Sequence, residues 1–393
     1  MTPVAQGSTD RPITIAIDAS RAVVPQTTGT EQYAAQIIRH LTELPEAAKH
    51  RWLLYTRGEN APSLREQHPL HGLAPTAEWR PLPARSLWTH ISLNRALARH
   101  APDALFVPAH VLPWRANPAS LPPSVVTVHD LGYLRFPDAH RPSQRLYLDQ
   151  STRYAARYAH SLIAVSEATA GDLQSAYHVP RSRIHVVHEA ATPIEECTPQ
   201  QIGEVRARLG LERRYALFIG TIQPRKNLGR LLQAYALLRS HHAVDFDLVI
   251  AGAPGWGSDP IYQEARSLGL GDRLHFPGYI AQTDLAPLLR GAEQFCYPSL
   301  FEGFGLPVLE AQSVGVPVLT SNNSSLPEIA GDAALLVDPM DVDAIADAML
   351  RLSRDEALRS ELIAAGYQNV RRFTWQEAAR QTLEVLLDAA RSR

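Results

Sequence analysis

Short apolar runs rich in β-branched and aromatic residues alternate with segments of helical period from one end of this 393-residue chain to the other. That alternation points to parallel sheets covered by helices, because parallel strands must be joined by a long crossover that is usually helical. In the first half the runs are Ile13 to Asp18, Trp52 to Tyr55, Ala104 to Val107, Val125 to Val128, Leu162 to Val165 and Ile184 to Val187. The pattern then starts afresh with Tyr215 to Ile219, Phe246 to Ala251, Leu274 to Phe276, Phe295 to Tyr297, Val318 to Thr320 and Ala334 to Val337. A single core of this length is uncommon, so the count predicts two doubly wound α/β domains. Ala191 to Gln201 has two prolines, two acids and no periodicity, and reads as the linker. The cleft between the domains is the default ligand site.

Composition narrows the function. With 38 Lys plus Arg against 40 Asp plus Glu, the net charge of −2 argues against nucleic acid as partner. Cys197 and Cys296 are far apart and offer neither a metal pair nor a disulfide framework, which fits a reducing cytoplasm. The start MTPVAQGSTDRP lacks the basic and apolar segments of a secretory signal, and no run of about 18 apolar residues could span a bilayer.

Two motifs carry the chemistry. Phe301 to Glu310 (FEGFGLPVLE) sets Glu302 and Glu310 around a glycine-broken turn, with a strand before it and a helix after it, Pro307 lying in the first turn. At the carboxyl edge of an open sheet, such a turn presents backbone N–H groups to a phosphate or a sugar hydroxyl. Gly303 and Gly305 would leave room for the ligand, Glu302 would face it, and Glu310 could accept hydrogen bonds from hydroxyls such as those of a ribose. Ordinary turn chemistry with a solvated Glu310 explains this segment alone equally well. The second motif, Phe218 to Leu228 (FIGTIQPRKNL), places Gly220, Arg225 and Lys226 between a strand and a helix whose apolar stripe is Leu228, Leu231, Leu232, Tyr235 and Leu238. Cations at a helix start oppose the helix dipole. They make sense if a diphosphate arrives between them.

With these residues assembled, the chain resembles the retaining GT-B glycosyltransferases of family 4, a subgroup of which contains many bacterial mannosyltransferases. The matching stretches are Gly220 to Asn227, Val249 to Gly252, Phe276 to Tyr279, Pro298 to Glu310, Gly315 to Pro317, Leu326 to Ile329 and Asp338-Pro339. The resemblance implies two Rossmann-like domains facing across a cleft: an acceptor domain at 1–194, a nucleotide-sugar domain at 195–372, and a closing helix in 373–393, capped by Thr374, that crosses back. It also implies that Arg225 and Lys226 hold the donor diphosphate, Glu302 faces the transferred sugar and Glu310 holds the ribose. Backbone N–H groups of Phe304, Gly305 and Leu306 would meet sugar and phosphate, and peptide groups near Tyr279 and Ile280 would meet the base. Many members carry an arginine directly after the glycine; this chain has Thr221 there and puts Arg225 beside Lys226.

In the first half, the same resemblance places Gly29 near the donor phosphates and aims His129, at the end of VTVHDL, at the donor sugar. No GxGxxG follows the first strand, which counts against a dinucleotide oxidoreductase. A His-Asp metal phosphohydrolase would need further ordered ligands that the chain does not show. Asp245-Phe246-Asp247 resembles a metal-binding triplet, but its second acid enters a buried strand and is read as structural. No metal or other cofactor is expected. Arg141 to His160 spaces arginines and tyrosines at helical intervals, either as a solvated face or as a contact for a lipid phosphate or the inner membrane. The expected partners are therefore a nucleotide-sugar donor, with GDP-mannose ahead of UDP-glucose, and a glycan or lipid-linked saccharide acceptor. A sugar-nucleotide epimerase or hydrolase, and a binding module without catalysis, are the alternatives.

Overall fold

The computed structural model describes residues 11–24, 29–58, 68, 70–83, 87–109, 111–137, 141–241 and 244–392. The N-terminal residues up to 10, and residues 25–28 of the loop leading to Gly29, lie outside that set. In the first half the strands are β1 (Thr14–Asp18), β2 (Arg51–Arg57), β3 (Ala77–Leu82), β4 (Ala104–Val107), β5 (Ser124–Val128), β6 (Ser161–Ala164) and β7 (Ile184–Val186). They form one parallel sheet of order β3-β2-β1-β4-β5-β6-β7. The second half contributes β8 (Arg214–Ile219), β9 (Phe246–Ala251), β10 (Leu274–Gly278), β11 (Gln294–Tyr297), β12 (Val318–Ser321) and β13 (Ala334–Val337), in the order β10-β9-β8-β11-β12-β13. The GT-B arrangement expected from the sequence is present, with one strand added. Strand β3 (AEWRPL) escapes sequence reading because it carries Glu78, Arg80 and Pro81; it lies at the sheet edge, where an unpaired flank tolerates proline.

Each sheet has one place where successive strands wind in opposite directions. In the second sheet it lies between β8 and β11, which pair directly although distant in sequence. Both motif loops leave the carboxyl ends of these two strands, so the topology brings Arg225 and Lys226 beside Glu302. In the first sheet the reversal lies between β1 and β4, and the helix Gly29–Glu43 follows β1.

The helix Trp375–Arg391 is capped by Thr374, whose hydroxyl accepts the Glu377 N–H at 3.2 Å. Its buried residues Ala379, Leu383 and Leu386 join Ile37, Ile38 and Leu41 of the helix Gly29–Glu43 in one core. Trp375, 4% exposed, lies against the rings of Tyr33 and His40. The end of the chain thus closes the core of its beginning.

Candidate active site

The decisive local geometry starts at Asn227, a buried residue with φ of 60°. A left-handed asparagine ends the 3₁₀ turn Pro224–Lys226 and lets the helix Leu228–His241 begin afresh. Its amide holds the turn by donating to Pro298 O at 3.0 Å and Pro339 O at 2.6 Å. Lys226 is thereby driven inward: its ammonium donates to Glu302 Oε1 at 2.6 Å and to the Tyr297 hydroxyl at 2.5 Å. Arg225 reaches the other carboxylate oxygen, Oε2, at 3.4 Å, donates to Phe301 O at 3.1 Å, and lies 3.6 Å from Asp130 of the first half.

Burial alone would push the Glu302 carboxyl up, but Lys226 and Arg225 hold it below the usual carboxylate range. Burial pulls the Lys226 ammonium down, and Glu302 opposes that pull. With 2.6 Å between them and a guanidinium beside them, the ionised pair is the state that fits. An ammonium has three donors, and Glu302 and Tyr297 take two, so the cluster keeps capacity for a further anion.

Glycines govern how closely backbone segments approach here. A Cβ on Gly252 would fall 1.9 Å from Gly220 O, which ties the turn after β9 to the one after β8. A Cβ on Gly303 would fall 1.8 Å from His129 O. The expectation that Gly303 makes room for a ligand is therefore corrected: its bare Cα makes room for the backbone of the other half. The contact is fastened by Ser166, whose hydroxyl donates to Gly303 O at 2.6 Å, and by Thr169 at 3.3 Å.

His129 has both ring nitrogens engaged in this structure. Instead of aiming a ring nitrogen at the cleft, it donates Nδ1–H to Glu189 Oε1 at 2.8 Å and Nε2–H to Pro108 O at 2.9 Å. Burial pulls this imidazole down, but the Glu189 carboxylate, with the Pro108 carbonyl and Asp130, more than offsets it and the net direction is up. Two acceptors on two nitrogens select the imidazolium. His129 positions the cleft wall through its own carbonyl.

The other predicted residues are distributed along the same edge. Gly29 faces Leu306, its notional Cβ 4.0 Å from Leu306 Cδ1. The helix Leu306–Ser313 starts there, with Pro307 in its first turn and the Val308 N–H donating back to Gly305 O at 3.0 Å. Phe304 buries its ring against Phe373 and leaves only its backbone for a ligand. Burial alone lifts the Glu310 carboxyl to about 7. Ile280 is half-buried, whereas Tyr279 is 79% exposed, at the outer end of the loop after β10. Asp247 of the DxD triplet is consumed inside the second half, bound to Arg273 at 2.8 Å and His275 at 3.1 Å.

Sequence reading missed Tyr297, Asp130 and Glu189. It also missed what Glu328 does: this residue of the second half accepts the N–H groups of Glu167 at 3.0 Å and Ala168 at 3.4 Å, and pairs with His188 at 2.6 Å. Glu328 lay within a matched stretch, but its partners lie across the cleft and leave no local signal.

Residues 202–369 match the family model described as glycosyl transferases group 1, and residues 27–191 match the one described as Glycosyltransferase Family 4. O-antigen chain mannosyltransferase B of Escherichia coli is 35% identical over 272 residues, which cover 68% of this chain and 70% of that protein. The chain belongs to glycosyltransferase family 4. This glycosyltransferase is also 28% identical over 327 residues to the serotype-specific mannosyltransferase WbdA of Escherichia coli, covering 76% of the chain but 38% of that longer protein. Among solved structures, sucrose-phosphate synthase from Thermosynechococcus elongatus superposes with a TM-score of 0.74 at 22% identity, covering 97% of this chain and 100% of that one. HepE of Anabaena, solved in complex with UDP and glucose, gives 0.71 at 18% identity, covering 96% and 100%. At these identities the two structures speak for the GT-B fold alone, while the sequence relatives make the chain a glycosyltransferase.

Proposed function

We propose that this enzyme transfers a hexose, with retention, from a nucleoside diphosphate to a hydroxyl of a glycan or lipid-linked saccharide in bacterial polysaccharide or glycoconjugate synthesis. The observation that carries the reading is the Arg225–Lys226–Glu302 cluster at the β8/β11 reversal, closed over by Asp130 and Gly29 of the other half. Departure of the diphosphate is the costly step. Arg225, the remaining ammonium donor of Lys226 and the start of the helix Leu306–Ser313 supply positive charge where that group leaves. On this reading they do the work of a divalent cation, and adding a chelator leaves turnover unchanged.

A carboxylate held by two cations and lowered in basicity is a poor nucleophile. Glu302 accordingly orients the sugar while a donor phosphate oxygen takes the acceptor proton, with attack on the face the diphosphate leaves. Glu310 receives the ribose hydroxyls. The mannosyltransferase relatives favour GDP-mannose as donor. A thermal-shift panel of GDP-, UDP-, ADP- and dTDP-sugars tests this, since only the cognate donor should stabilise strongly. Lys226→Ala and Glu302→Gln should each lower turnover more than about a hundredfold in protein that circular dichroism shows to be folded, although breaking the buried pair also lowers stability. Transfer near the wild-type rate in either variant overturns the assignment, and an inverted anomeric centre in the product, read by NMR, overturns retention.

A further inference from the structure

Beside the Arg225–Lys226–Glu302 cluster the two halves enclose a cavity of about 660 Å³. Its first-half walls are the turn Arg135–Phe136 and one face of the helix Glu167–Tyr177; its second-half walls are Leu300–Phe301 and Asn323–Ser324. Ala168, Gly171, Asp172 and Ser175 recur at spacings of three and four, so a single helical stripe faces the space. Over Gly171 it is open: a Cβ built there meets nothing within 4 Å. The volume falls within the range of about 300–1,000 Å³ usual for small-molecule sites.

The cavity wall is tied to the catalytic loop. Ser324 Oγ accepts the Glu302 N–H at 3.1 Å, and Ser324 holds a left-handed φ of 50°, costly for a residue with a Cβ. Phe301, directly before Glu302, gives its carbonyl to Arg225 at 3.1 Å while the residue lines the cavity. The Leu300 N–H donates to Arg225 O at 2.9 Å. One wall is therefore the backbone that sets Glu302 and Arg225.

Charge and hydrogen bonding identify the ligand. The described lining holds one cation and one anion, Arg135 and Asp172, paired at 2.6 Å, which leaves no surplus positive charge for a phosphate. The same guanidinium lies 5.4 Å from the Phe301 ring centroid and so bridges the halves. Hydrogen-bonding capacity remains. A guanidinium has five donors and a carboxylate two oxygens, and this pair engages one donor with one oxygen. Ser175 and Ser324 add hydroxyls. Asn323 donates Nδ2–H to Leu300 O at 3.1 Å and keeps a buried Oδ1 with no partner among the described residues. Phe136 adds a ring 6.3 Å from that of Phe301. An acid, a guanidinium, an amide and hydroxyls beside aromatic carbon match a neutral pyranose, which has vicinal hydroxyls at its rim and C–H groups on its faces. We propose that this cavity binds an internal sugar of the acceptor glycan, one or more units away from the hydroxyl that receives the hexose. The inference rests on the sugar-transfer reading and deepens it, because it makes the acceptor an oligosaccharide and not a single sugar.

The test uses the full chain with an α-linked mannotetraose and with methyl α-mannoside. As acceptor, the tetrasaccharide should exceed the monosaccharide in kcat/KM at least about tenfold, chiefly through KM. Gly171→Leu fills the cavity from an exposed helical position where leucine is the better helix former. It should erase that advantage while donor-induced thermal stabilisation stays as in the wild type. Arg135→Met removes an exposed guanidinium and should raise KM for the tetrasaccharide at least about fivefold. Calorimetry without donor keeps the two readings apart, since the tetrasaccharide should bind the wild type and not Gly171→Leu whichever nucleotide sugar is the substrate. Equal kcat/KM for the two acceptors, no tetrasaccharide binding to the wild type, or binding that survives Gly171→Leu overturns the proposal. A wild type that no nucleotide sugar stabilises overturns the donor reading, and the calorimetric arm then still decides for or against the cavity.

Discussion

Glu310 shows how one side chain can report on the bound donor. Its carboxyl is lifted by burial from about 4.5 to about 7. The folded chain therefore binds a proton that the unfolded chain releases, and stability falls as pH rises from about 4.5 to about 7. Ribose hydroxyls donated to the ionised form would offset its burial, so donor affinity should rise over the same interval and level off above it. Calorimetry in buffers of different ionisation enthalpy should show proton release on donor binding below pH ~7, and Glu310→Gln should abolish both the release and the slope. A flat pH profile in the wild type would refute the ribose role. Chain position made Glu310 visible in the sequence; its raised pKa was not visible, because it depends on what surrounds it in the fold.

At the scale of elements, the loop Phe301–Leu306 does two jobs through adjacent residues. Glu302 serves the cations of its own sheet, and Gly303 receives the end of β5 from the other. Substituting alanine at 303 would place a methyl 1.8 Å from His129 O, so the halves must part. Gly303→Ala should lower kcat steeply, leave donor-induced thermal stabilisation largely intact and increase the radius of gyration in small-angle scattering. An unchanged radius with full activity would show that the contact is not part of the working state. The same loop marks where sequence legibility ends. Spacing of acids, glycines and proline identified the turn, and adjacent cations at a helix start identified Arg225 and Lys226, since both signals are local. The partner of Gly303 was illegible, and so were Tyr297 under Lys226 and Glu189 on His129, because each contact joins residues far apart in the chain. The ring partners of His129 were illegible for the same reason: its motif gives its place at the end of β5 but not the two acceptors that engage its ring.

Across the whole molecule, Glu328 and the last helix join what the strand pattern divides. Burial pushes the Glu328 carboxyl up, but His188 and the N–H groups of Glu167 and Ala168 bring it below its ordinary range, so this clasp is present at neutral pH and weakens as the medium turns acid. Glu328→Ala should cost about 1.5–3 kcal/mol of stability, read from chemical denaturation, with the loss shrinking at low pH. Trp375→Ala should cost about 3–5 kcal/mol and destabilise the first sheet more than the second, as read by amide exchange. Equal exchange in both sheets would mean that Trp375 is not specific to the first. The packing of Trp375–Arg391 onto Gly29–Glu43 also sets an order of events during synthesis. The half translated first cannot finish its interior until residues 375–391 have left the ribosome, so a nascent chain stalled before residue 375 would expose an apolar face to chaperones even though every strand of the second sheet had already been made.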